Sequence, residues 1–374
     1  MSEPVVDRTF DLDMSARLGV RRGALLWLLF LLMCLGLGYP TLNRYDPVKV
    51  VGTSDSGVYR NIVIGAEPVR TPGDALTRLT HSENYGRVLV PYVARPFYWI
   101  ARGHVRTWDP AFVGLLMSNA IFVATTACLL MSTGVLVGLT FPVVLLGATV
   151  YLLNFSVANF DLAGLIDSGE GCMMMAVVWS LLTDRWFLLP LWGIAGALAK
   201  ETFASFSVLM AFAWWLSEVR PARWRLSRLV WIGALAVAGF ATVVGTMSVA
   251  AGGIIWPWQF AVYMRADAGF LKGFLGCCLD HTFWYIFGWL LPLGGLRLTR
   301  LPRPWVLGSA LTFFLTLFMG AYNNALGNTS RALFNVAGPI LSLSAAAFLV
   351  DLGPKGDDSG TEVGADCLRL PKRV

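Results

Sequence analysis

The chain has 374 residues, of which 56% are hydrophobic and only 14% charged, where a soluble protein carries about 25% charged residues. Its mean hydropathy of +0.63, with 15 Trp and 23 Phe, is more apolar surface than one or two water-soluble cores enclose, so an ordinary soluble enzyme is excluded and a bilayer is the expected solvent. The net charge of +6 does not point to nucleic acid, because the basic residues stand in short clusters between apolar runs, as cytoplasmic loops of membrane proteins do.

A short N-terminal segment, 1–23, precedes the first apolar run at 24–40. That run has a basic flank at Arg21 and Arg22 and no small-x-small cleavage site, so it reads as a retained anchor. A long polar loop, 41–109, follows. Within it, residues 86–102 are apolar and aromatic but carry Arg87, Arg95 and Arg102 at seven- to eight-residue intervals, which predicts an interfacial helix with its cations on one face. Seven further spans are expected at 110–131, 135–155, 162–182, 229–251, 281–296, 305–322 and 332–350. Between Arg185 and Glu218 lies a 32-residue apolar stretch interrupted by Lys200 and Glu201. As one helix it would run about 48 Å, well beyond the roughly 30 Å of a bilayer core, so it reads as two short spans with Lys200 and Glu201 at the turn. The tail, 351–374, is rich in Gly, Asp and Lys and is expected to be disordered and cytoplasmic. The fold class is therefore an all-α transmembrane helix bundle of about ten segments, with a long first extracytoplasmic loop.

Charge supports the paired reading. With a pair, the clusters at Arg17/Arg21/Arg22, Arg185, 220–228, Arg297/Arg300/Arg303 and Lys372/Arg373 all fall on the cytoplasmic side, and both termini lie inside. The remaining polar positions then gather at the outer face. The six cysteines show no CxxC or Cys/His spacing and read as small apolar residues in helices.

Ionisable groups at membrane depth cost about 2.5–3.5 kcal/mol to insert, so each is a candidate for function. Asp55, in Ser54-Asp55-Ser56-Gly57, is either a turn or cap residue or a carboxylate placed to take a proton from an acceptor hydroxyl. His81, Glu83 and Tyr85 precede Arg87 in a segment that reads as a solvated loop or as part of a site. Lys200 and Glu201 are adjacent, so they do not face each other on a helix, and each needs a partner or a ligand elsewhere. Arg331 follows Asn323, Asn324 and Asn328 and is either a snorkelling helix-end arginine or a bidentate phosphate ligand. Asp161 and Asp167 flank an apolar Leu-Ala-Gly-Leu-Ile, and Asp167 and Glu170 share one helical face. Two carboxylates without His are weak grounds for a metal.

The order of these elements resembles the GT-C superfamily, the multispanning glycosyltransferases that use polyprenyl-phosphate-linked sugars. The resemblance rests on Asp55 to Tyr59 (DSGVY) after the first span, Tyr85 to Pro91 (YGRVLVP) in a long first loop, Ala199 to Thr202 (AKET) in a broken helical pair, and Ser330-Arg331 before the last span. It implies inverting transfer of a sugar from a polyprenyl-phosphate donor to a glycan, lipid or protein acceptor, with membrane lipid as the surroundings. It further implies a bacterial plasma membrane, a site that opens outward, and an acidic residue of the first loop as base, which carries over to Asp55. Many members have two acidic residues side by side there, whereas this chain has Asp55-Ser56, so the need for a divalent cation stays open. Tyr59, Glu83, Arg87, Asp161, Lys200, Glu201 and Arg331 are the expected substrate-binding residues. A transporter or flippase of lipid-linked sugars, or another cell-envelope polysaccharide enzyme, is the competing expectation. A transporter should show internal repeats, and none is visible.

Overall fold

The computed structural model describes residues 20–43, 55–66, 83–217, 222–256, 259, 269–323 and 328–352. Every regular element among them is helical. In chain order these are α1 (Val20–Leu42), α2 (Asp55–Ile64), α3 (Leu89–Ala101), α4 (Pro110–Leu136), α5 (Phe141–Leu152), α6 (Asp167–Leu182), α7 (Leu189–Ala199), α8 (Thr202–Ser217), α9 (Ala222–Ala251), α10 (Phe270–Leu279), α11 (His281–Phe287), α12 (Leu290–Gly295), α13 (Arg303–Asn323) and α14 (Asn328–Leu352). Five of them, α1, α4, α9, α13 and α14, are long and apolar enough to cross a membrane, and α5, α7, α8 and α10 are shorter apolar helices. The molecule is an all-α membrane helix bundle.

The composition of each helix decides its place. The most hydropathic window of α14 is 83% buried within the protein and that of α9 only 22%, so α14 is a core helix and α9 stands at the lipid-facing edge. α14 carries Ala, Ser and Gly among its apolar residues and packs on α5, α6, α12 and α13. Small side chains let helices approach closely where lipid supplies no hydrophobic driving force. α4 is the second core helix, flanked by α1, α3, α5 and α6. Its start is specified locally: Asp109 accepts from the Ala111 N–H at 2.8 Å and Pro110 takes the first helical position. The same carboxylate pairs with Arg60 of α2 at 2.5 Å, which ties the first loop to the bundle.

Three expectations are corrected. The span expected at 281–296 is two short helices, α11 and α12, separated at Gly288-Trp289. The span at 135–155 shrinks to α5, because α4 runs on to Leu136 and Gly138, at φ 89°, turns the chain before Pro142. The interfacial helix is Leu89–Ala101, and of the three arginines only Arg95 lies within it, with Arg102 as its C-cap. Arg87 lies outside it and points into the bundle, Arg95 bonds the Ile62 carbonyl at 2.9 Å, and Arg102 lies over Trp99. Arg95 and Arg102 do share a stripe, each over the ring three residues before it, Tyr92 and Trp99, and those rings with Ile100 form the exposed side, because α3 packs along α4 through small residues.

The stretch between Arg185 and Glu218 is a pair, as its length demands. α7 ends where Lys200 becomes extended (φ −162°, ψ 140°), and α8 begins two residues later. The two ends of the bundle are distinct. Lys200, Arg87 and the starts of α6 and α14 meet at one. At the other, Arg228 of α9 pairs with Asp184 after α6, and Arg297 and Arg300 pair with Asp351 near the end of α14. Arg331 and Asp351 are 20 residues apart on α14, about 30 Å, the thickness of a hydrocarbon core.

Candidate functional site

The site is built where four helix ends meet. Gly169 of α6 makes this possible: a Cβ there would come within 2.7 Å of Val90 and 3.1 Å of Ala199, so only glycine lets α3 and the end of α7 close on α6. That contact brings Lys200 over the first turn of α6. Lys200 Nζ lies 2.7 Å from Asp167 Oδ1 and 3.4 Å from Glu170 Oε2. Arg331 donates to the other oxygen of Asp167 at 3.3 Å and also reaches Asn328. Two cations from segments far apart in sequence thus converge on one carboxylate.

Glu170 is fully buried and fully satisfied, accepting from Thr202 Oγ1, Asn335 Nδ2 at 2.7 Å and Lys200. Glu201 points the other way. It takes a bidentate bond from Arg87, Nε to Oε2 at 2.7 Å and NH2 to Oε1 at 2.6 Å, and Arg87 also donates to Tyr59 Oη at 2.9 Å. The planar guanidinium matches the carboxylate fork, which makes this the best-oriented ion pair of the cluster. Tyr59 lies one turn beyond Asp55 on α2, and Asp55 accepts from Asn84 Nδ2 at 3.0 Å. Two contact groups therefore meet at the turn, Tyr59–Arg87–Glu201 and Lys200–Asp167–Arg331, joined through the backbone of Lys200 and Glu201, with Asp55 one turn before Tyr59 on α2.

Electrostatics at the turn follow from burial and pairing. Burial alone would raise the Glu201 carboxyl, but the Arg87 charge and its two bonds outweigh it and hold the group below the usual carboxylate range. Burial likewise opposes the Lys200 charge, and Asp167 with Glu170 overcomes it, so the ammonium stays protonated above its ordinary value. The Tyr59 phenol is pushed up to about 12 by burial, against the pull of Arg87, and keeps its proton at neutral pH.

The expected residues are distributed as follows. Arg87, Lys200, Glu201, Arg331 and Tyr59 come together. Asp55 opens α2, where its charge faces the positive end of the helix dipole, the cap role that a lone Asp commonly has. Glu83 begins the 3-10 turn Glu83–Gly86, and its side chain lies outside the described residues, as does all of His81. Asp161 is 1% exposed, in a π-helical turn, with neither carboxylate oxygen hydrogen-bonded among the described residues. Glu201 does not orient Arg331, as a phosphate site would suggest; it holds Arg87, because α8 turns it toward α3 instead of toward α14. Asp280 accepts from Thr282 N and from Ser330 Oγ, and His281 is exposed, so neither joins the cluster. Asn335 and Thr202 take up the buried Glu170, and an Asn inside the apolar α14 was the signal for the first of them.

A divalent cation does not fit these carboxylates. Asp167, Glu170 and Glu201 are each engaged by Lys or Arg, and among the described residues no three His, Cys, Asp or Glu converge as a metal site. The arrangement suits an anion. Lys200 and Arg331 flank Asp167 as they would two oxygens of a phosphate, at helix ends where water and backbone share the charge. Compared with known proteins, the chain matches no family model, no curated protein and no solved structure.

Proposed function

We propose that this chain is a GT-C-like membrane glycosyltransferase that moves a sugar from a polyprenyl-phosphate donor to an acceptor outside the cytoplasm, with inversion. The observation that supports this reading is the convergence of Lys200 and Arg331 on the two oxygens of Asp167, at the same turn whose Glu201 holds Arg87 and, through it, Tyr59, one helical turn from Asp55. The donor's phosphate competes with Asp167 for the two cations. Asp55 takes the proton of the acceptor hydroxyl as its oxygen attacks the anomeric carbon from the opposite face. The bond from that carbon to the phosphate oxygen breaks, and the departing phosphate keeps the electron pair. Lys200 and Arg331 stabilise the charge that develops there, so no general acid is needed. Arg87 holds Tyr59 and Glu201 and so fixes the distance between base and cations. The cation-rich end faces outward, since the arginine clusters of the opposite end are those the positive-inside rule keeps in the cytoplasm. The test is transfer of label from a polyprenyl-phosphate sugar in membranes carrying the wild type or Asp55→Asn. Full activity in the Asn variant would remove Asp55 from the reaction.

A further inference from the structure

Between α5 and α6 the chain makes one turn of π-helix, Val157–Asp161, closed by the Leu162 N–H on the Val157 carbonyl at 3.0 Å. Turns of this kind are rare and recur at functional sites. This one holds an anomaly. Asp161 is 1% exposed and Ser156 is fully buried, yet both Asp161 oxygens and Ser156 Oγ lack a hydrogen-bond partner among the described residues. Ser156 caps the turn at its start and Asp161 closes it, so the two stand at its ends. Buried polar groups are almost always bonded, and leaving one unmade costs about 1–3 kcal/mol. Every other carboxylate of the cluster is satisfied, so the shortfall belongs to this turn.

Its position is informative. Arg331 lies over the ring of Phe160, the residue before Asp161, at 5.2 Å, and the charges of Asp167, Arg331 and Lys200 all act on Asp161. An anion held by Lys200 and Arg331 would therefore be the immediate neighbour of the turn. Aromatic rings flank it: Phe155 packs on Phe160 at 5.8 Å and on Tyr285 at 5.0 Å. A small cation is a poor occupant beside Lys200 and Arg331, which would repel it. A polyol suits all three features, with hydroxyls for the oxygens, C–H faces for the rings and an adjoining phosphate for the cations.

We propose that the π-turn is the sugar subsite, where Asp161 and Ser156 bond hydroxyls of the donor sugar while its phosphate lies on Lys200 and Arg331. This rests on the glycosyltransferase reading and specifies which part of the donor each group holds. Burial, with the Asp167 charge beside it, pushes the Asp161 carboxyl up against the pull of Arg331 and Lys200. A protonated carboxyl offers both a donor and an acceptor, the pairing that a sugar hydroxyl completes.

The test uses the full chain in lipid nanodiscs and two kinds of probe: a short polyprenyl phosphate without sugar, and its glucose, mannose, galactose and arabinose conjugates. The wild type should bind at least one conjugate about 10- to 100-fold more tightly than the sugar-free lipid, the worth of one or two hydrogen bonds to a carboxyl group. Asp161→Asn and Asp161→Leu should lose that preference and keep the sugar-free affinity. Their thermal midpoints should not fall, since no protein partner is lost, and Leu should raise the midpoint. A preference retained in both variants overturns the subsite, as does a wild type that binds the sugar-free lipid but prefers no conjugate. Loss of sugar-free binding in the variants would place Asp161 in the phosphate site instead, and failure of both variants to fold would make its role structural. Binding of neither probe by the wild type would overturn the glycosyltransferase reading itself.

Discussion

The two ends of this bundle both carry ion pairs, and the pairs differ in kind. At the arginine-rich end Arg297 and Arg300 share Asp351 while 42% and 45% exposed, and the Asp184 that meets Arg228 is 53% exposed. The two Asp351 pairs sit in high dielectric and are typically worth about 0–1 kcal/mol, whereas in the third Arg228 is itself buried, at 5% exposure, and only Asp184 is wet. At the other end Lys200, Arg87 and Arg331 are each about nine-tenths buried and face carboxylates from other helices. Burying that many charges is rarely the most stable use of the space, because apolar side chains of similar volume often do as well or better. The first end is what a membrane protein needs to keep its orientation. The second carries a stability cost that the proposed function would account for, and the difference marks where that function is to be tested.

The comparison is broken most severely through Asp55, the proposed base. Asp55→Asn should lower transfer about 10²- to 10⁴-fold, the usual worth of a positioned general base, with the thermal midpoint nearly unchanged. Radiolabel transfer and thermal unfolding of the same preparation separate the two effects. Next in size is the Arg87–Glu201 pair. Arg87→Met leaves a buried carboxylate alone and should cost about 3–5 kcal/mol, whereas Arg87→Met with Glu201→Gln should recover most of it. Recovery measured by a double-mutant cycle at the opposite end, on Arg300 and Asp351, should stay within about 1 kcal/mol.

The same pair gives a pH test with a defined sign. Glu201 is held below the usual carboxylate range, so its contribution is present above that range and is lost only as pH falls through the lowered value. Wild type and Glu201→Gln should differ in thermal midpoint at neutral pH and converge in acid. If the gap widens in acid, the guanidinium is not what stabilises this carboxylate. A smaller effect is expected at the cations. Arg331→Lys should weaken binding of sugar-free polyprenyl phosphate about tenfold, because a point charge cannot reproduce the planar fork. Asp167→Asn should strengthen it, since the phosphate no longer competes with a carboxylate. The smallest effect sharpens the comparison without disturbing it. Cysteine at His104, exposed near the Lys200 end, should label from outside, and cysteine at Arg297 only from the cytoplasm. Lys200 itself is a poor labelling site, because its side chain is 12% exposed.

Much of the bundle was legible from the chain alone. Five long helices fall where hydropathy puts them, because a helix in lipid must satisfy its own backbone and be about 20 residues long. The broken pair around Lys200 followed from length and arginine placement, both of which act locally. The same logic singled out Arg87, Lys200, Glu201 and Arg331 as candidates at the outer membrane edge. It could not assign their partners. Lys200 meets Asp167 and Glu170, and Glu201 meets Arg87, only because Gly169 lets three helices close on one another, and periodicity within a helix says nothing about what packs against it. The interfacial helix shows the same limit, since Arg95 and Arg102 lie on one stripe over Tyr92 and Trp99 while Arg87, before the helix, turns into the bundle to meet Glu201. The bare Asp161 belongs entirely to the tertiary structure. An Asp between apolar residues looks alike whether a neighbouring helix satisfies it or not, and only the assembled turn leaves its oxygens without partners among the described residues. Composition is a sum over the chain and so determines the solvent; a site is a set of distances between segments remote in sequence, and packing alone decides those.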